Sequence, residues 1–227
     1  KPDILVVNSD GDSESKRNVC KERGIEYIIL NRTPHKGLEA RSSTDLKKTF
    51  CKIPTRLDIA GTWIDQPYVS KYFPGWAITI SLEPTFEIRE RCGLSTSTRN
   101  VIRSIWPNQL PDMNPETLAR LIFCYENNPE RCDGIVSGAQ DAIGICVPGL
   151  SRHYYDNKFW PETIETCNEE SILSWLEQHL IMIPMEPRCI GCSVVEGSEI
   201  TKEKVIALAD AAVRCWKSIQ TLDLKGF

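Results

Sequence analysis

The spacing of apolar residues changes character near residue 50. Before that point, "DILVV" (3–7) is an unbroken apolar run, which predicts a strand covered on both faces in a parallel sheet. A polar turn, "NSDGD", follows. The charged stretch "SESKRNVCKERG" then predicts a short helix stopped by Gly24. "EYIIL" (26–30) predicts a second strand. Together these make a βαβ unit, whose ligand-facing loops would follow the strands at 8–12 and 31–44.

From Arg56 onward the pattern alternates. "RLDIAG" and "AITISLEPTFEI" predict strands with one buried face, separated by "TWIDQPYVSKYFPG", a loop rich in aromatic residues. "NPETLARLIFCYENN" predicts a helix capped by Asn114, with Pro115 at its first position and Leu118, Leu121, Ile122 and Tyr125 facing inward. "SWLEQHLIMI" and "TKEKVIALADAAVRCWKSIQ" predict two more. In the last of these, Val205, Leu208, Ala209, Ala212, Trp216 and Ile219 form one apolar stripe and Thr201 is the N-cap. The expected organisation is α/β, with a βαβ segment over 1–50 and an α+β domain over 51–227.

Composition narrows the function classes. With 227 residues, 41% of them hydrophobic and 26% charged, the chain can bury a core in one large or two small domains. Its net charge is -4 and no basic run occurs, so a surface that tracks nucleic acid is not expected, although a mononucleotide needs only a few donors. The longest apolar stretches are too short to span a bilayer, and no signal-peptide core is seen. The expectation is a cytoplasmic protein with no membrane partner. Its ten cysteines are then expected as reduced thiols. Cys189 and Cys192 form a lone CxxC, which fits a turn better than zinc, and the three histidines are scattered.

Candidate chemistry concentrates in "RCGLSTSTRN" (91–100). A helix beginning near Ser97 would present unpaired N–H groups and a positive dipole end to a phosphate. Gly93 would permit close backbone approach, and with Leu94, Ser95, Thr96, Ser97 and Thr98 it makes the candidate phosphate-binding run. The alternative is that one hydroxyl caps the helix and the others face water. The same two readings apply to Arg41, Ser42, Ser43 and Thr44, which precede another expected helix. Further along, Glu126 closes the helix that starts at Pro115, and Asp141 stands behind a Ser-Gly-Ala-Gln turn. A carboxylate for Mg2+, another to orient a hydroxyl and a phosphate-binding helix start are what phosphoryl transfer requires.

Taken together, residues from about 54 onward resemble the GHMP kinase family, in particular its sugar-kinase branch. The likeness rests on "PTRLDIAGTWIDQP", "GLSTST" and "SGAQDAIG", which occur in the family's order. It implies that Arg56 faces the transferring phosphate and that Asp65, with Gly61 and Trp63 in the same turn, meets the sugar. It further implies that Ser97 and Glu126 hold Mg2+, and that Asp141 orients or deprotonates the accepting hydroxyl of the sugar as ATP is consumed. Residues 1–50 resemble the closing part of cytidylyltransferase-like nucleotidyltransferases, with Arg41–Thr44 as the R-[ST]-S-[ST] segment and no HxGH element. The expected fold is thus a partial Rossmann-like βαβ unit followed by a GHMP-kinase-like two-layer α+β domain. The expected partners are a small-molecule sugar and a nucleotide. Two other readings stay open: a nucleotidyltransferase acting on a sugar phosphate, and a degenerate protein that binds nucleotide or sugar without turnover.

Overall fold

The computed structural model describes residues 2–31, 52–83, 95–128, 130, 136–181, 183 and 199–227. The chain forms two compact units, Lys1–Lys47 and Lys48–Phe227. Both mix strands and helices. The expected strand extension over 84–88, the CxxC pair and the Arg41–Thr44 segment lie outside the described residues.

In the first unit, β1 (Ile4–Asn8) runs parallel to β2 (Glu26–Leu30), in register from Ile4 opposite Glu26 to Asn8 opposite Leu30. Between them come a 3-10 turn at Ser9–Gly11 and α1 (Glu14–Arg23). Ser13 starts α1 by accepting the Lys16 N–H on its side chain. Gly24 ends it at φ +57°, a left-handed conformation that lets its N–H reach the carbonyls of Cys20 and Lys21. One expectation needs correction: β1 is not covered on both faces, since Ile4 and Val6 are about half exposed while Leu5 and Val7 are partly buried. An unbroken apolar run does not distinguish a strand between two helical layers from one with a single covering layer.

The second unit is built on an antiparallel sheet of four strands in chain order: β3 (Thr55–Ala60), β4 (Gly75–Leu82), β5 (Leu150–Tyr155) and β6 (Thr163–Cys167). The helices are α2 (Pro67–Ser70), α3 (Thr96–Ile105), α4 (Pro115–Glu126), α5 (Gln140–Cys146), α6 (Glu170–His179) and α7 (Lys202–Gln220). They do not form the expected two layers. Ala77 and Tyr155 share a core with Ile102 of α3, Leu118 and Ile122 of α4 and Ile143 of α5. Ile78, Ile80 and Leu150 look the other way, into a core with Ile172 and Leu176 of α6 and Ala212 and Ile219 of α7. The sheet is therefore covered on both faces. Residues 77–80 of β4 are all buried, including Thr79, so small and hydroxyl residues that alternate with isoleucine line a second interior rather than water. Gly144 makes that possible: a Cβ there would come within 2.4 Å of Arg56 Cγ and 2.9 Å of Thr79 Oγ1, so α5 rides directly over β3 and β4.

The α7 stripe holds, with Val205, Ala209, Ala212 and Ile219 fully buried and Leu208 and Trp216 partly so. In α4, by contrast, Leu121 is half exposed. The buried positions are Leu118, Ala119 and Ile122, a face turned toward Glu126 and away from Leu121. Helix α6 ends at His179 rather than continuing to Ile183: Leu180 takes an extended conformation, and Ile181 and Ile183 are both largely exposed. Asn114 caps α4 as expected, its side chain accepting the Thr117 N–H at 3.0 Å. Asn114→Ala should cost about 1 kcal/mol. Urea unfolding would show this as a lowered midpoint at unchanged slope.

No helix among the described residues is long and apolar enough to cross a membrane. The described cysteines, Cys20, Cys124, Cys146, Cys167 and Cys215, are free thiols.

Candidate active site

Arg56 and Asp58 stand two apart on β3, so their side chains leave the same face of the sheet. The guanidinium of Arg56 forms ion pairs with Asp58 through Nη1 and with Asp141 through Nη2, and its Nε donates to Ser95 Oγ at 2.6 Å. Only 5% of Arg56 is exposed. Burial alone would weaken its charge, but the carboxylates of Asp141, Asp58 and Asp65 outweigh that and raise its pKa.

Helix α3 brings the hydroxyls. Ser95 precedes it at φ +56°, unusual for a residue with a side chain, and makes no side-chain cap bond. Its hydroxyl is committed to Arg56 instead, so Ser95 does not serve as a simple helix cap. One turn on, Thr98 Oγ1 lies 2.9 and 3.1 Å from the two Glu126 oxygens and 3.5 Å from Asp141 Oδ2. A hydroxyl has a single proton to donate. The arrangement is satisfied best when Glu126 supplies a proton of its own. Electrostatics agree: burial pushes the Glu126 carboxyl up to about 7, Asp141 adds to the rise, and hydrogen bonds from Thr98 and Ser97 oppose it.

Asp65 lies at the end of the turn that leaves β3. Gly61 builds that turn at φ +73°, where a Cβ would fall 1.9 Å from the Trp76 carbonyl oxygen, and Trp63 is left-handed at φ +79°. Ile64 N–H returns to Gly61 O, and Gln66 N–H to Trp63 O. Asp65 then points inward, 2% exposed. The Gln140 main-chain N–H donates to its Oδ2 at 3.4 Å, and Gly138 lies so close that a Cβ would come within 1.5 Å of that oxygen. Burial pushes the Asp65 carboxyl up to about 7, helped by Asp141 and Asp58, while the Gln140 N–H and Arg56 pull it down. Asp141 itself, in the first turn of α5, is raised by burial against the pull of Arg56.

Three carboxylates, Asp58, Asp141 and Asp65, thus act on the Arg56 guanidinium, Glu126 joins them through Thr98, and burial moves Asp65 and Glu126 up toward neutrality. Both Asp65 and Glu126 have folded pKa values above their unfolded values, so between about pH 5 and 8 the native state binds more protons than the unfolded state. Their contribution to stability is present at the acid end of this window and lost as pH rises. His153 acts in the opposite sense. Fully buried, with Nε2 2.9 Å from Ser151 Oγ and 3.2 Å from Thr79 Oγ1, it is driven down to about 3 by burial and by Arg56. Only the unfolded chain can then protonate it below about pH 6.5. Two groups outweigh one. The unfolding free energy from urea titrations without divalent cation should fall between pH 5 and 8 by on the order of 3 kcal/mol in total, and the midpoint with it. A midpoint rising over that range would contradict the protonated state of the site.

Of the residues singled out from sequence, Arg56, Ser95, Thr98, Glu126 and Asp141 converge, with Asp65 and Ser97 adjoining through Asp141 and Glu126. Gly61 and Trp63 shape the turn that delivers Asp65. Thr96 starts α3, while Gly93, Leu94, Arg41, Ser42, Ser43 and Thr44 lie outside the described residues. Asp58 was missed, although its two-residue offset from Arg56 on an expected strand puts it on the same face. Gln140 was also missed, and no spacing rule points to it. Comparison with protein-family models, curated proteins and solved structures finds no match for this chain.

Proposed function

We propose that unit 48–227 is a kinase that transfers the γ-phosphoryl group of ATP to a sugar hydroxyl with the help of Mg2+. The observation that carries this reading is the meeting of Arg56, Ser95, Thr98, Glu126 and Asp141, drawn from four separate segments and sharing one hydrogen-bonded network. Asp141 orients the hydroxyl and takes its proton as the oxygen attacks phosphorus. The new O–P bond forms, the bond to the bridging oxygen of ADP breaks, and the products are a sugar phosphate and ADP. Arg56 holds the Asp141 carboxylate in place and supplies positive charge beside the transferring group.

The donor set near Glu126 suits Mg2+, which favours oxygen ligands and usually takes only one or two carboxylates alongside substrate phosphates. Among the described residues no group of three or more His, Cys, Asp or Glu side chains is arranged to hold a metal by itself. Glu126 and the Ser97 hydroxyl would hold the ion, which would neutralise phosphate charge when bound. Loading it would also displace the proton from Glu126, so binding should release protons near pH 7.

Mg-ATP at about 100 times its Kd should stabilise the folded chain by about 2.7 kcal/mol, raising Tm by roughly 5–10 °C. Stabilisation by CTP and not by ATP would favour the nucleotidyltransferase reading. Binding of Mg-ATP with no turnover of any sugar would favour the degenerate binder. Ser97→Ala separates metal binding from local structure: Mg-ATP affinity should fall with little change in the urea midpoint of the free protein. An equal loss of stability with and without Mg-ATP, at unchanged affinity, would remove Ser97 from the metal site.

A further inference from the structure

Asp58 touches Arg56, yet the kinase reading gives it no part. It stands two residues from Arg56 on β3, and its carboxylate pairs with guanidinium Nη1. All three nitrogens of the guanidinium are thereby engaged by the protein itself: Nε with Ser95, Nη2 with Asp141 and Nη1 with Asp58. A phosphoryl group brought to this arginine meets a carboxylate already standing where its own oxygens would bind.

The contacts are not equivalent. Ser95 and Asp141 accept hydrogen bonds from Nε and Nη2. Nη1 and Asp58 Oδ1 form an ion pair, but both atoms are buried and neither makes a hydrogen bond of good alignment. A buried donor in that state costs free energy that a better placed acceptor recovers, and phosphate oxygens are among the strongest acceptors for a guanidinium. The two carboxylates also differ in how they are held. Asp141 lies in the first turn of α5, and its other oxygen is 3.5 Å from Thr98 Oγ1. Asp58 is on an outer strand of the four-stranded sheet, with one-fifth of its side chain exposed. The β3–β4 register breaks directly after it: Asp58 faces Thr79, while Ala60, two residues on, faces Ile78, one residue back. Such a bulge interrupts the ladder locally and often re-aims a side chain beside a site. Of the two carboxylates, Asp58 is the more easily displaced.

We infer that Asp58 is a built-in competitor for the γ-phosphate of ATP: it occupies Arg56 Nη1 in the free protein and is displaced when γ-phosphate oxygens take that edge of the guanidinium. This rests on the kinase reading and adds to it an autoinhibitory contact within the same site. The exchange keeps the buried guanidinium paired at each stage, so no uncompensated charge is left inside the fold. It lowers ATP affinity by the fraction of molecules in which Nη1 is free. It also limits the hold on the phosphorylated product, because Asp58 returns to Nη1 as that product leaves. ADP has no γ-phosphate and does not enter the competition.

The test is nucleotide affinity, measured by calorimetry on the full chain with Mg2+. Asp58→Asn keeps the shape and removes the charge, and Asp58→Ala removes the competing side chain altogether. Both variants should bind Mg-ATP about tenfold more tightly than wild type, with Mg-ADP affinity unchanged to within about twofold. Loss of a merely structural residue would weaken both nucleotides. Removal of a negative charge acting only through space would strengthen both. A gain confined to ATP is therefore the signature of displacement.

Mg-ATP binding that is unchanged or weaker in both variants would overturn the inference, and so would an equal gain for Mg-ADP. In those cases a wild type that phosphorylates a sugar leaves the kinase reading standing. A wild type that neither binds Mg-ATP nor phosphorylates any sugar overturns both.

Discussion

Asp141→Asn should slow sugar phosphorylation by roughly 100-fold or more while leaving Mg-ATP affinity close to that of wild type. The carboxylate acts mainly in the transition state, where it aligns the hydroxyl and accepts its proton. Asparagine keeps the shape and one acceptor oxygen for Arg56 Nη2, so the substitution tests charge and basicity rather than packing. A second readout comes from the neighbours. Asp141 helps to hold both Asp65 and Glu126 protonated, and with its charge gone both should ionise at lower pH. The fall in stability between pH 5 and 8 should then shift toward acid. ADP release measured over a sugar panel decides the catalytic role: equal rates for wild type and variant would remove Asp141 from the chemistry. The pH profile decides the electrostatic role independently of turnover.

Arg56→Met should destabilise the fold by about 3–5 kcal/mol near pH 8, the usual cost of removing one partner from a buried ion pair. The loss does not come from packing, since methionine fills most of the stem's volume. It comes from leaving Asp58 and Asp141 without their counter-charge and the Ser95 hydroxyl without its donor. The deficit should shrink toward pH 5.5, because the orphaned carboxylates can then take up protons. The sign follows from linkage: without the guanidinium the native pKa of Asp141, already raised by burial, rises further above its unfolded value, so the native state binds more protons and loses stability as pH rises. Urea unfolding of wild type and variant at both pH values is the measurement. A deficit that does not depend on pH would mean that the stem, and not the charge, is what the fold requires.

Much of this architecture is legible in the chain. Gly24 ends α1 and Asn114 with Pro115 opens α4, because caps and stops are local chemistry that tertiary contacts seldom override. The two-sided covering of the sheet was not legible. Thr79, Ser151 and His153 look like a wetted face by residue type, and they are buried where Gly144 lets α5 approach β3 and β4; that is decided between segments far apart in sequence. The same holds within the site. "GLSTST" and "SGAQDAIG" drew notice for their hydroxyls and their carboxylate, and the structure brings Ser95, Thr98 and Asp141 from these stretches together. That Ser95 serves Arg56 instead of capping α3 depends on a left-handed backbone at a serine, and no periodicity signals such a conformation.

The contact between Gly138 and Asp65 has a mechanical consequence. A hydrogen atom is all that fits on the Gly138 Cα at that point, and two and three residues later the same backbone becomes Gln140 and Asp141 at the start of α5. The segment is a short, stiff lever with the Asp65 carboxylate against one end and Asp141 on the other. Because the Asp65 carboxylate already fills the space at Gly138, a shift of Asp65 toward this backbone would press on the residues that open α5. Occupancy at Asp65 would in that way bear on the Asp141 carboxylate and its ion pair with Arg56. Even alanine at residue 138 would jam the lever by wedging its methyl group into Asp65, leaving a chain in which the two ends no longer report on each other.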